Sequence, residues 1–211
     1  MNLHFRYLAL SGALALVLAA CVHAPAAAPT SQREPAMTTS STGTGASTHR
    51  MPVEWPLRFK SHNFSARCYD TLGCKVIYDN FEHGDDDPTP SSASYGPDYL
   101  KGWDGSFGVD NFPEPAKVIW RSKDGAAHEA TIDIGEIFKD ELVRHNVPRE
   151  EVAELPDGKY EDAPSILLEV NDRTVRVYMS AWIPLKKQRE IAGYMRNESR
   201  DDLILVKTYI Y

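Results

Sequence analysis

The chain has 211 residues, and its 23 basic and 30 acidic side chains give a formal net charge of −7 at pH 7. The length fits one domain of ordinary size behind its N-terminal segments. An acidic excess disfavours nucleic acid as a partner and disfavours lying flat on an anionic membrane, because both carry negative charge. It is compatible with a basic protein partner, and equally with the plain need for solubility.

The first 20 residues have the anatomy of a secretory signal peptide. Arg6 precedes an uncharged apolar run from Tyr7 to Ala20, which ends on small residues. The run is shorter than the roughly 20 residues that a membrane-spanning helix needs, which disfavours an uncleaved anchor. Removal of residues 1–20 leaves 22 basic and 30 acidic side chains, a net charge of −8.

The end of this run, Leu18-Ala19-Ala20-Cys21, resembles the lipobox of bacterial lipoproteins. The resemblance implies that the Cys21 thiol receives a diacylglycerol and becomes the new N-terminus. Val22 follows the cysteine where Asp would favour inner-membrane retention, so the resemblance favours the periplasmic face of the outer membrane. The alternative is a plain secreted protein with an incidental cysteine.

Residues 21–51 are predicted to form a lipidated flexible tether, and residues 52–211 a single globular domain. The tether is dominated by Ala, Pro, Ser, Thr and Gly and has few apolar anchors. Such a segment cannot bury enough apolar surface to offset the conformational entropy lost on ordering.

Cys68 and Cys74 are predicted to form a disulfide. They are the even pair left after Cys21, and an exported chain meets an oxidising compartment. Asp70 and Gly73 favour a turn that brings the two sulfurs together. A redox or metal pair is the alternative, but the spacing is too long for Cys-x-x-Cys and no second pair of zinc ligands follows.

Residues 80–106 form a long polar stretch with the candidate binding residues. A segment of this length without predicted structure is uncommon in a compact domain and is often functional. Acidic and aromatic side chains occur together in it, as on protein-binding surfaces. The predicted partner-binding residues are Asp85, Asp86, Tyr95, Tyr99 and Trp103. Two plainer interpretations stay open: a solvated acidic loop, and aromatic side chains that turn inward and pin the loop to a sheet.

The rest of the domain is predicted to be strand-rich, because short segments are β-branched, aromatic or alternating. Asp124-Gly125 predicts one hairpin turn, and Asn171-Asp172 a second. The last strand is predicted to place Ile204, Val206, Thr208 and Ile210 on one face. The predicted strands cover residues 59–67, 74–78, 116–121, 127–133, 166–170, 174–182 and 203–211.

One helix is predicted over residues 133–147. Ile134, Phe138 and Leu142 recur at helical spacing, Asp133 is the predicted N-cap, and Pro148 ends the helix. Strands and helices do not alternate along the chain. The predicted fold class is therefore mainly β or α+β, an antiparallel sheet or sandwich with one packed helix.

The sequence contains no motif that marks catalysis. The serine nucleophile elbow, the His-Glu-x-x-His zinc motif and the glycine-rich phosphate loop are all missing from it. The acidic run Glu82–Asp87 lacks the spacing of a calcium-binding EF-hand loop. We therefore expect a non-enzyme that needs no metal and no cofactor. The histidines of the domain, His62, His83, His128 and His145, occur singly and are predicted to be surface or packing residues.

The whole outline resembles a group of proteobacterial lipoproteins, the immunity proteins made beside phospholipase effectors of the type VI secretion system. The similar features are the lipobox at Cys21, the pair Cys68 and Cys74, and the segment from Asn111 to Ser122 followed by Asp124-Gly125. The resemblance implies a periplasmic protein that neutralises a secreted toxin by stoichiometric binding. It assigns no functional residue. The alternative is an envelope structural or assembly lipoprotein that binds a cell-wall or outer-membrane component.

Overall fold

The structure is a computed structural model, and it describes residues 49–101 and 107–211. Cys21, the predicted signal peptide, most of the predicted tether and Trp103 lie outside the described residues, as do the side chains of Asp85 and Phe107. Within the described part, no helix is both long enough and apolar enough to cross a membrane.

The described residues form thirteen β-strands and one short α-helix, α1 (Ile134–Ile137), so the predicted mainly β class is confirmed. Two single turns of 3₁₀ helix lie at Ser92–Tyr95 and Arg149–Glu151. In chain order the strands are β1 (Arg50–Met51), β2 (Ser61–Tyr69), β3 (Thr71–Tyr78), β4 (Phe81–Asp85), β5 (Phe107–Asp110), β6 (Ala116–Ser122), β7 (Ala127–Ile132), β8 (Leu155–Pro156), β9 (Ser165–Asn171), β10 (Thr174–Ser180), β11 (Ile183–Ile191), β12 (Tyr194–Arg200) and β13 (Leu203–Ile210).

Two larger sheets carry the fold. A five-stranded sheet has the order β13-β10-β9-β2-β5, and a four-stranded sheet has the order β4-β3-β6-β7. All pairs in them are antiparallel except β2 with β9, which run parallel. The two hairpins expected from turn residues are present, β6–β7 at Asp124-Gly125 and β9–β10 at Asn171-Asp172.

Both large sheets contribute to one hydrophobic core. Strand β6 alternates strictly, with Val118 and Trp120 buried and the residues between them exposed. Such alternation is what a strand with one solvated face requires. Strand β9 is instead buried on both faces, because Ile166, Leu168 and Val170 point into the core while Leu167 and Glu169 are covered on the outer side.

The predicted helix over 133–147 is wrong in its length, because the chain leaves the helix after Ile137. Asp133 does cap it, since its carboxylate accepts the Glu136 N–H at 2.8 Å. Beyond it the backbone pairs with the segment before β2: the Val143 N–H donates to the Leu57 carbonyl and the Phe59 N–H to the Glu141 carbonyl, both at 3.0 Å. This tertiary pairing satisfies backbone groups that a longer helix would have satisfied locally.

The last strand does not keep one apolar face. A bulge shifts the register of β13 against β10 between Val177 and Tyr178, and the extra residue turns the following side chains over. Val206 and Tyr209 therefore pack on the core, whereas Ile210 is 82% exposed.

Six strands were not expected from the sequence: β1, β4, β5, β8, β11 and β12. The stretch 80–106 was expected to lack regular structure, but Phe81–Asp85 in it forms β4 and pairs with β3. Arg50 and Met51, assigned to the predicted tether, form β1 and pair with β8. Strands β11 and β12 form a two-stranded sheet that is separate from the two larger ones.

The predicted pair Cys68 and Cys74 is joined by a disulfide. The Cα atoms lie 6.2 Å apart, within the range that disulfides span. Cys68 belongs to the five-stranded sheet and Cys74 to the four-stranded one, so the bond ties the two sheets together at their tight connection. Next to it, Gly84 is required by its backbone φ of +123° and because a Cβ there would lie 2.2 Å from the Cys74 carbonyl oxygen.

Candidate partner-binding surface

The described part of the long polar stretch after β4, residues 86–101, crosses the end of β2, and we call it the tyrosine loop. Its first half is held by backbone bonds at the connection between β2 and β3. The Thr89 N–H donates to the Thr71 carbonyl at 2.8 Å, and the Asp70 N–H donates to the Pro90 carbonyl at 3.1 Å. The Ser91 hydroxyl donates to the Asp70 carboxylate at 2.9 Å.

The second half of the loop is held by a buried carboxylate. Glu169 of β9 has no exposed surface, and its side chain lies on the outer face of the five-stranded sheet. The Tyr99 hydroxyl of the loop donates to Oε1 at 2.8 Å, beside the Asn171 amide at 2.9 Å. The Tyr178 hydroxyl donates to Oε2 at 2.8 Å, beside the Arg176 guanidinium at 3.1 Å. Four donors therefore occupy the four lone-pair directions of one carboxylate.

These donors keep their protons across the physiological range. Burial, and then the hydrogen bond to Glu169, raise the pKa of Tyr99 to about 12. The same two causes raise the pKa of Tyr178 further. Burial lowers the pKa of Arg176, but the bond to Glu169 outweighs it and the pKa is raised overall. The cluster stays fully hydrogen-bonded, which is the condition under which a buried charge is tolerated.

A second anchor is aromatic. The buried ring of Tyr69 meets two loop tyrosines edge to face, with centroid distances of 5.7 Å to Tyr95 and 5.3 Å to Tyr99. Edge-to-face pairs of this kind contribute roughly 0.5–1.5 kcal/mol beyond the area that they bury. Tyr99 is half-buried in this arrangement, whereas Tyr95 keeps 58% of its surface exposed.

The anchored loop borders an open cleft of about 450 Å³. Tyr69, Tyr95 and Tyr99 line it, together with Arg67, an exposed residue of β2. Tyr and Arg are the residue types enriched at energetic hot spots of protein interfaces. The cleft is large enough to receive side chains of another protein.

The predicted binding residues are distributed unequally over this surface. Tyr95 and Tyr99 share one cleft, with Tyr95 presented to solvent and Tyr99 also acting as the inward-facing pin. Asp86 is exposed at the start of the loop. The backbone of Asp85 ends β4, while its side chain and all of Trp103 lie outside what the structure describes.

Sequence reasoning missed Glu169, Tyr178 and Arg176. A usable indication was present, because Glu169 is a charged residue inside the apolar strand Ile166–Val170 and cannot be buried there without donors.

The buried histidine His62 belongs to a packing network. The Asn111 amide N–H₂ donates to the Phe59 carbonyl, so its oxygen must accept from His62 Nδ1, which lies 2.8 Å away. His62 Nε2 is then the acceptor for the Tyr78 hydroxyl at 3.1 Å. Burial lowers the pKa of His62, so it stays neutral in this network.

A serine and a histidine also meet in the β6–β7 hairpin, but not as a nucleophile and its base. The Ser122 hydroxyl donates to Asp124 at 2.6 Å, and that bond, an N–H of the chain and Arg173 lower the pKa of Asp124 to about 2. With its one proton committed, Ser122 Oγ must accept from His128 Nε2 at 2.9 Å. The imidazole is thus a donor here, whereas activation of a serine needs an acceptor.

No group of three or more His, Cys, Asp or Glu side chains within the described ranges is arranged to hold a metal ion. Comparisons of the chain with protein-family models, with curated proteins and with solved structures found no match.

Proposed function

We propose that this chain is a lipid-anchored periplasmic immunity protein that neutralises a secreted toxin of the lipase type by stoichiometric binding. The observation that carries the binding role is the cleft lined by Arg67, Tyr69, Tyr95 and Tyr99 beside a firmly anchored loop. The predicted signal peptide, the resemblance of Leu18–Cys21 to a lipobox and the disulfide support the assignment to the periplasm. The lipase class of the toxin rests on the resemblance to immunity lipoproteins.

The anchoring of the loop matters for affinity. A loop that is ordered only on binding loses conformational freedom at that moment, and this cost subtracts from the binding free energy. The tyrosine loop is instead fixed in advance by Glu169, by Tyr69 and by backbone bonds to the connection between β2 and β3. Tyr95 can then act as a rigid aromatic anchor, and the exposed Asp86 supplies negative charge that steers a basic toxin surface.

Inhibition by occlusion requires no chemistry from the chain. A standard interface buries roughly 1,600 Å², which is enough to cover the entrance of an active site. We therefore place the toxin over the cleft and the tyrosine loop, on the outer face of the five-stranded sheet.

The test is survival of cells that direct a lipase-type toxin to their periplasm, with any lipase encoded by a neighbouring gene as the first toxin to try. Co-expression of the wild-type chain should protect them, and Tyr95→Ala with Arg67→Ala should lose protection and weaken binding by at least about tenfold, as expected when hot-spot residues are truncated. The matched control is Ile119→Ala, which removes an exposed apolar side chain from the four-stranded sheet. Equal killing with and without the wild-type chain would overturn the proposal. Equal protection by both variants would show that the toxin binds a surface other than the cleft.

A further inference from the structure

The hairpin β11–β12 stands apart from the rest of the described chain, and we call its exposed part, residues 186–196, the arm. All eleven of these residues are exposed. The root of the hairpin is attached through Leu185, which bridges to Val152, and through the Pro184 carbonyl, which accepts the Ala153 N–H at 2.9 Å. Beyond the root, β11 and β12 pair only with each other among the described strands.

The arm reverses the charge of the molecule. The whole hairpin, residues 183–200, carries five basic and two acidic side chains, a net charge of +3. The remainder of residues 52–211 carries 15 basic and 27 acidic side chains, a net charge of −12. Two arginines of the arm, Arg189 and Arg196, are direct cross-strand partners. Like charges in that position destabilise a hairpin, and neither guanidinium has an ion-pair partner within the described residues.

The tip of the arm exposes apolar side chains on both faces, and on one of them the acidic Glu190 lies across from Met195. Ile191 and Tyr194 are cross-strand partners on the face that holds the two arginines, and Met195 lies on the opposite face. Tyr194 is 69% exposed and Met195 is 62% exposed. The turn between them is Ala192-Gly193, which adds no polar side chain.

We propose that the arm inserts its tip into the headgroup region of a bilayer that contains anionic phospholipid. An apolar tip ringed by cations is the pattern of interfacial membrane binding, in which apolar side chains enter the boundary of the acyl chains and basic ones meet lipid phosphate. A protein groove covers one face of a hairpin, whereas a bilayer surrounds a tip that exposes apolar side chains on both faces, Ile191 and Tyr194 on one and Met195 on the other. Arg189 and Arg196 together present the paired donors that suit a phosphate group.

The acidic remainder of the domain fixes how this contact is made. With a net charge of −12 it is repelled by an anionic surface, so the arm makes the contact and the rest of the domain stays away. This leaves the cleft beside the tyrosine loop free for a partner. The inference does not depend on the immunity function, because it needs only a membrane and the arm.

The experiment uses a fluorophore at the tip. The full chain with Cys21→Ser and Met195→Cys has one free thiol, since Cys68 and Cys74 are bonded, and that thiol is labelled with an environment-sensitive dye. Vesicles of phosphatidylcholine with phosphatidylglycerol should shift the emission to the blue, and vesicles of phosphatidylcholine alone should not. The probe reports on the tip itself, whatever the N-terminal residues do.

The arginine pair is tested in the same assay. Arg189→Gln with Arg196→Gln should weaken the vesicle-dependent shift about thirtyfold, since each basic side chain near an anionic surface contributes roughly fivefold. The control is Lys60→Gln with Arg121→Gln, which makes the same change in net charge at exposed positions outside the arm. It should weaken the vesicle-dependent shift less than about threefold. No shift on anionic vesicles, or equal loss in both variants, would overturn the proposal. A shift that grows with protein concentration without vesicles, and that needs the arginine pair, would assign the arm to a second copy of the chain instead.

Discussion

Two polar side chains without exposed surface, His62 and Glu169, show how single residues hold this fold together. Each has a complete set of hydrogen-bond partners, and each set includes a partner from a distant part of the chain, Asn111 for His62 and Tyr99 for Glu169. His62 joins β2 to β3 through Tyr78 and to Asn111, whereas Glu169 joins β9 to β10 and to the tyrosine loop. Removing one partner from such a group costs more than the bond itself contributes, because the remaining group is left buried without compensation.

His62 predicts a pH dependence of stability. Its pKa lies below the ordinary 6.5 because the ring is buried, so the unfolded chain takes up a proton as pH falls through about 6.5 while the folded chain does not. The contribution of the buried, neutral His62 to stability is therefore complete above that pH and is lost below it. The free energy of unfolding falls by up to about 1.4 kcal/mol per pH unit for one proton. His62→Gln should reduce the slope of the unfolding free energy between about pH 6.5 and 5, measured by denaturant titration.

The control for this slope is Tyr78→Phe. It removes the hydroxyl that donates to His62 Nε2, and it should cost about 1–3 kcal/mol because a buried acceptor is left unpaired. The imidazole is still present, so the dependence on pH should persist. Burial also lowers the pKa of His83 and His145, which adds to the slope of every variant alike. If the unfolding free energy of His62→Gln changed with pH as steeply as that of the wild-type chain, His62 would not be the source of the pH dependence.

At the scale of elements, Tyr99 is the loop side chain that bonds the buried carboxylate of Glu169. Tyr99→Phe keeps the ring against Tyr69 but removes one of the four donors to Glu169, and it should cost about 1–3 kcal/mol. Because the loss is local, hydrogen exchange at the amides of Thr89 and Gly96 should accelerate more than exchange in β9. Tyr95→Phe is the control, since its ring is largely exposed, and it should change stability by less than about 0.5 kcal/mol. Equal effects of both substitutions would remove Tyr99 from its role as the pin.

The strands that the sequence predicts correctly are those that form the core. In β6 and β10 the alternation of apolar and polar side chains follows directly from one buried face, and the turn residues after β6 and before β10 set the two hairpins. The predicted helix is too long for a different reason. Spacings of three and four over so short a stretch fit a helix, but the pairing of Val143 with the Leu57 segment is a tertiary contact that no local pattern encodes.

The candidate site was only half accessible to sequence reasoning. The composition of the stretch after β4 pointed to Tyr95 and Tyr99, but their anchor, Glu169, lies 70 residues away from Tyr99 along the chain. The hairpin β11–β12 was missed because its exposed residues do not alternate, and Ala192-Gly193 is not among the strong hairpin turns. Beyond its root this hairpin pairs with no other strand among the described residues, so its exposed part carries no core periodicity that a sequence pattern could reveal.

At the scale of the whole molecule, basic and acidic side chains are concentrated in different regions. The arm is basic, the rest of the domain is acidic, and the predicted acyl group at Cys21 would hold both near a membrane. Two kinds of membrane contact then coexist, an apolar one through the lipid and a largely electrostatic one through the arm. They differ in their response to salt, because the Debye length falls from about 8 Å at physiological ionic strength to about 3 Å at 1 M and acyl insertion is not screened.

This difference predicts the outcome of a salt wash on cell membranes. The wild-type chain should stay with the membranes in about 1 M salt, because salt screens the contact made by the arm but does not weaken insertion of the acyl group. A chain with Ser in place of Cys21, exported behind a signal peptide that ordinary signal peptidase removes, should bind at low salt and be released by the wash. Adding Arg189→Gln and Arg196→Gln to it should leave it soluble even at low salt, because the arm then lacks its paired cations. Release of the wild-type chain by salt would show that Cys21 carries no lipid, and the membrane contact would then belong to the arm alone.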